Sequence, residues 1–140
     1  MKTYVRSLTL ILAALLLLSF ASCKKTPPDA LWENATYLEN TTLGEGKTTV
    51  SVEVKAGEHS VTFTIRTDRT ILGDALTDHR LIEGEESTYG LYVKKVNGIT
   101  ADYDVDQSYW GFYKNGEYMM TGVDTTTIAD GEHFELVYEK

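Results

Sequence analysis

With 140 residues the chain has room for one domain, and its core can fold without disulfide or metal staples. A formal charge of −8 repels phosphate backbones and excludes nucleic acid as a partner. One cysteine excludes an intramolecular disulfide framework.

Residues 1–22 read as a lipoprotein signal peptide. Lys2 and Arg6 supply a positive start, and Leu8–Phe20 is an almost wholly apolar run, short for a membrane span. Phe20-Ala21-Ser22-Cys23 resembles a bacterial lipobox, with Phe20 standing where leucine is usual. In that motif the cysteine thiol is lipidated and becomes the mature N-terminus. Each buried CH₂ adds ~0.8 kcal/mol, so two acyl chains, palmitate for instance, anchor stably. The expectation is an extracytoplasmic bacterial protein, held at the cell membrane or cell surface by lipid on Cys23.

Residues 23–47 read as that lipidated terminus followed by a flexible spacer. Pro27-Pro28, the Asn, Thr and Glu content and Gly44-x-Gly46 predict extended chain, and the spacing of Trp32, Tyr37 and Leu38 does not predict packing. Gly46-Lys47-Thr48 matches the end of a phosphate-binding loop, but Thr41 occupies the required earlier glycine position and no strand precedes it.

Residues 48–140 form the expected domain. Val50, Val52 and Val54 alternate with polar residues, as do Val61, Phe63 and Ile65, which predicts a hairpin around Gly57 with one buried face. Ile71, Leu72, Ala75, Leu76 and His79 make a helical stripe of about two turns, with Asp68 or Thr70 as N-cap. Gly84 and the Glu-rich run after it read as a break. Strands follow near Tyr89–Val96, Trp110–Lys114, Glu117–Met120 and His133–Glu139; Asn115-Gly116 and Asp130-Gly131 mark turns. One short helix over a mixed sheet is an α+β, β-grasp-like single domain.

The stretch from Tyr89 to Gly122 holds eight of the fifteen aromatic residues. In a strand Trp110 and Phe112 share one face, Tyr109 and Tyr113 the other. The first pair suits a core, whereas the second is open to both core and platform readings. Tyr92, Tyr109, Trp110 and Tyr113 are the candidate ligand-binding residues, since flat aromatic surfaces bind rings and sugars at low entropic cost. Asp102, Asp104 and Asp106, on an expected irregular loop, are candidate ligands for a hard cation, Ca²⁺ first. A solvated acidic loop that keeps a sheet edge soluble accounts for them more simply, and no cofactor is required for the fold. His59, His79 and His133 are too dispersed to predict a metal site. No nucleophile elbow or i, i+4 histidine pair is present, so an enzyme is not expected.

Gly-Leu-Tyr-Val from Gly90, Val96-Asn97-Gly98, Tyr109-Trp110 through Asn115-Gly116-Glu117 and Ile128-Ala129-Asp130-Gly131-Glu132 together resemble the transcobalamin-like C-terminal domain family, the DUF4430 type. That resemblance implies a β-grasp-like fold and a non-enzymatic ligand-binding domain, for cobalamin or another cyclic small molecule. In the vitamin carriers this domain closes over cobalamin held by a helical barrel, which is not among these residues. The residues alone place equally an envelope protein–protein or glycan interaction module, and calcium or another metal is compatible with either.

Overall fold

A computed structural model describes residues 25–140. The signal peptide read over 1–22 and the lipidation expected at Cys23 lie outside the described residues.

The alternating valines form β2 (Thr48–Ala56) and β3 (His59–Thr67), an antiparallel pair joined through Gly57, whose φ of +62° suits the missing Cβ. Val50, Val52, Val54, Val61, Phe63 and Ile65 are all buried on one face, as their period of two requires. The last strand, β9 (His133–Glu139), runs parallel to β2, with Val52 opposite Phe134 and Val54 opposite Leu136. Strand β7 (Tyr109–Lys114) pairs antiparallel to β9, and Asn115-Gly116 turns it into β8 (Glu117–Tyr118). A short strand β1 (Thr41–Leu43) lies parallel to β3, giving the order β1-β3-β2-β9-β7-β8. Helix α1 (Leu72–Asp78) contributes Leu72, Ala75 and Leu76 to the same core. A parallel central pair, antiparallel flanks and one short packed helix make a β-grasp-like α+β domain.

A second sheet, of order β4-β5-β6, joins β4 (Ile82–Ser87), β5 (Gly90–Val96) and β6 (Ile99–Thr100). The break expected at Gly84 is therefore a strand. Its side chains beyond Ile82 are exposed, so it carries no apolar alternation; buried Ile82, backbone pairing with β5 and the Glu83–Lys95 and Glu85–Lys94 ion pairs hold it. Gly84 sits at the register shift in that pairing, where a Cβ would meet the Tyr92 carbonyl oxygen at 2.2 Å.

Three further expectations are corrected. Helix α1 has Ile71 at its N-cap, not Asp68 or Thr70, and no side chain caps it. An isolated bridge between Ile71 and Thr127 does that work, with the Leu72 N–H donating to the Thr126 carbonyl at 2.9 Å. The loop expected at Asp102–Asp106 is a second short helix, α2 (Tyr103–Asp106). The spacer expected up to residue 47 is structured from Asp29 onward. A 3₁₀ turn at Ala30–Trp32, capped by the Asp29 carboxylate, delivers Trp32 into the core at 1% exposure. There its Nε1–H donates to the Ala56 carbonyl at 2.9 Å, joining the indole to the β2–β3 turn.

Asn97 holds the same segment from the other side. It is fully buried in the β5–β6 turn, where Oδ1 accepts from the Tyr37 N–H and Nδ2 donates to the Tyr37 carbonyl, both at 2.9 Å. The ring of Tyr37 packs edge-on against Phe63 at 5.5 Å.

Candidate recognition groove

Seven large apolar side chains are exposed among the described residues: Tyr89, Tyr92, Tyr103, Val105, Tyr109, Tyr118 and Met120. Five of them (Tyr89, Tyr92, Tyr109, Tyr118 and Met120) line one groove of about 350 Å³ between β5, β7 and the segment leaving β8. Isolated exposed apolar residues are ordinary on a protein surface, but a contiguous aromatic set marks a place of contact. Met120 is 91% exposed and Tyr89 97%, so these two are not core residues near the surface.

The local sequence explains the groove. Trp110 and Phe112, on one face of β7, are buried to 8% exposure and form its wall while belonging to the core. Their neighbours hold them in place: Trp110 packs edge-on against Tyr138 at 5.7 Å, and Phe112 stacks on Phe134 at 5.9 Å. Across the groove, Leu91, Tyr92 and Val93 of β5 supply the facing wall. Asp124 ties the two sides together, its Oδ2 accepting from the Leu91 N–H at 3.1 Å. Gly90 and Gly122 enclose that carboxylate so closely that a Cβ on either would come within 2.6 Å of it. Two buried side-chain polar atoms among the described residues lack a partner: Trp110 Nε1 in the groove wall and Asp124 Oδ1 beside it. A buried donor or acceptor left unpaired costs about 1–3 kcal/mol, so native proteins rarely keep one without a use.

Of the four candidate ligand-binding residues, Tyr92, Tyr109 and Trp110 come together in this groove and Tyr113 does not. Tyr113 donates its hydroxyl to Glu139 Oε1 at 2.8 Å and packs edge-on against Tyr118 at 5.5 Å. That hydrogen bond, then burial and the negative charge of Glu139, push its pKa up to about 12. The folded state therefore keeps the proton that the unfolded chain releases near pH 10. Stability from this contact is present below pH 10 and falls as pH rises toward 12. Ultraviolet titration of native protein should show a tyrosine step near pH 12 that Tyr113→Phe removes. Sequence reasoning did not find Tyr89, Tyr118, Met119 and Met120 as groove residues, because a strand's period of two assigns them no common face.

Two of the three aspartates, Asp102 and Asp106, are engaged separately. Asp102 Oδ1 accepts from the Asp104 N–H at 3.1 Å as cap of α2. Asp106 accepts from the Ser108 N–H and hydroxyl and from Lys140, which hold its carboxyl below the usual range, Ser108 having the largest share. Among the described residues no group of three or more His, Cys, Asp or Glu side chains is placed to hold a metal ion. The histidines are likewise dispersed: His59 lies near Asp29, His79 ends α1 beside Gly44, and His133 contacts Ser51.

Comparison with known proteins places this geometry. A crystal structure from Ruminococcus gnavus ATCC 29149, to whose protein metal binding has been ascribed, is 35% identical with a TM-score of 0.64, covering 67% of this chain and 98% of its own. Haptocorrin in complex with Cbi matches at a TM-score of 0.50 and 22% identity, over 66% of this chain and 25% of its own, a likeness of fold. No curated protein matches. Residues 68–140, which include the whole groove, match the domain of unknown function DUF4430. The chain therefore belongs to the DUF4430 family, and its fold is like that of part of haptocorrin.

Proposed function

We propose that the protein is a recognition module of the bacterial envelope, tethered by lipid on Cys23, which engages a protein or glycan partner through the aromatic groove. The observation that carries this reading is the gathering of five exposed apolar side chains along one groove. Surfaces of this kind, with tyrosine and methionine around a buried tryptophan, are what partner-binding sites are made of. Cobalamin binding is not carried over from haptocorrin, whose likeness at 22% identity is one of fold. Nor is metal binding carried over from the Ruminococcus protein, because Asp102 and Asp106 are engaged in local hydrogen bonds and no three ligand side chains gather among the described residues.

Benzoylphenylalanine introduced at Met120 is expected to cross-link one specific envelope component in living cells, while the same probe at Val105 does not. Equal patterns from the two positions would overturn the groove as the contact surface. Loss of the cross-link on adding cobalamin would return the domain to small-molecule binding. For the tether, Cys23→Ala should abolish incorporation of an alkynyl palmitate and release the protein into the soluble fraction; unchanged labelling would remove the anchor from the account.

A further inference from the structure

One wall of the groove is an open strand edge. Strand β8 pairs only with Tyr113 and Lys114 of β7, and one further bond runs from the Met119 N–H to the Phe112 carbonyl at 2.9 Å. Both backbone groups of a residue in an antiparallel strand point to the same side, alternating along the chain. Since the Phe112 carbonyl points away from β9, so do the Phe112 N–H and the N–H and C=O of Trp110. No strand among the described residues covers that side of Tyr109–Phe112. Two other edges are guarded: β4 carries exposed Glu83, Glu85 and Glu86, and β1 is three residues long. Charges and short strands are how proteins discourage pairing at an edge. β7 has aromatic residues there instead.

A second feature adjoins the first. Leu91 separates the groove from a cavity of about 480 Å³ that Asp74, Glu83, Glu86 and Asp124 line without any lysine or arginine. Glu83 pairs with Lys95 at 3.4 Å, whereas Asp74, Glu86 and Asp124 have no cation within 4 Å among the described residues. Asp124 Oδ1 is the buried acceptor left without a donor. An apolar groove along a free strand edge, adjoining a predominantly acidic cavity, is complementary to an extended chain with apolar residues and a basic one.

Resting on the recognition reading above, we propose that the groove receives an extended peptide segment of the partner, added as a strand to the outer edge of β7. Its apolar side chains sit between the walls formed by Trp110 and Tyr92, and a lysine or arginine reaches the cavity at Asp124 and Glu86. Main-chain hydrogen bonds then supply affinity, and the groove and cavity supply specificity.

Peptides of about twelve residues, selected from a random displayed library against the full-length protein, test this directly. The selected peptides are expected to combine apolar residues with at least one lysine or arginine and to raise hydrogen-exchange protection at the Trp110 and Phe112 amides. Glu86→Gln should weaken them several-fold and flatten their salt dependence. Two versions of a selected peptide, N-methylated on alternate amides in the two possible registers, keep every side chain. One should lose binding by about tenfold or more and the other keep it, because only alternate N–H groups face the neighbouring strand. Equal binding of the two versions, protection elsewhere, or a selection that enriches nothing would overturn strand addition. If the cross-link from Met120 persists in that event, the groove still binds a partner by another chemistry; if it is also absent, both readings fall.

Discussion

Trp32→Ala is expected to lower the unfolding free energy by about 4 kcal/mol, a loss of roughly 15 °C in Tm for a domain of this size. The indole is 1% exposed and fills the core beneath the β2–β3 hairpin. Truncation removes its buried area, leaves a cavity and strands the Ala56 carbonyl that Nε1–H satisfies at 2.9 Å. A loss of that size is a large part of the about 5–15 kcal/mol that holds a domain together. Trp32→Phe should recover most of the volume but not the hydrogen bond, for a smaller loss of about 1–2 kcal/mol. Urea denaturation of the three proteins separates the terms. A Trp32→Ala protein as stable as the parent would mean that residues 29–43 do not dock, and that the segment up to residue 47 is the spacer its composition predicts.

The second large effect belongs to Asn97. Two Asn-Gly turns in the chain have nearly the same backbone, with Asn97 at φ +50° and Asn115 at φ +49°. Asn115→Ala should cost about 1 kcal/mol, because alanine lacks the short polar side chain that lets asparagine tolerate the left-handed region and that turn is otherwise exposed. Asn97→Ala carries the same strain and also removes both side-chain bonds to Tyr37, for a total of about 3 kcal/mol. Asn97→Gly isolates the difference, relieving the strain while still losing the bonds. Thermal melts of all three should rank Asn115→Ala mildest, Asn97→Gly next and Asn97→Ala most damaging. Equal losses at the two asparagines would mean that Asn97 only shapes a turn and does not clamp residues 36–37 to the second sheet.

These two residues show what the sequence carries and what it hides. The β2–β3 hairpin was legible because Val50 to Ile65 alternate with a period of two and bury one face. β7 and β8 were legible from Asn115-Gly116 between aromatic runs. Trp32 was not, because a single anchor in a polar, proline-containing segment has no periodicity, and its partner Ala56 is far along the chain. β4 was hidden for the opposite reason: its exposed glutamates look like loop, and only the pairing with β5 makes them a strand. At the site, Tyr92, Tyr109 and Trp110 were found from aromatic density. Tyr113, which density selected equally, is turned toward Glu139 by one hydrogen bond that no local pattern encodes. The aspartates at 102, 104 and 106 have the spacing of cation ligands, but the short helix and its cap use two of them in local bonding.

The stability predictions test how the domain is built; its use rests on the groove. Oxidative footprinting in intact cells compares groove residues with exposed residues elsewhere on the same molecule, without knowledge of the partner. Met120 and Tyr118 lie in the groove at 91% and 61% exposure, and Tyr103 lies outside it at 55%. In purified protein all three should be modified readily. In cells the account predicts that Met120 and Tyr118 become protected while Tyr103 is modified as before. Equal modification of all three in both settings would show the groove standing open in its native environment, and would contradict its role as the recognition surface.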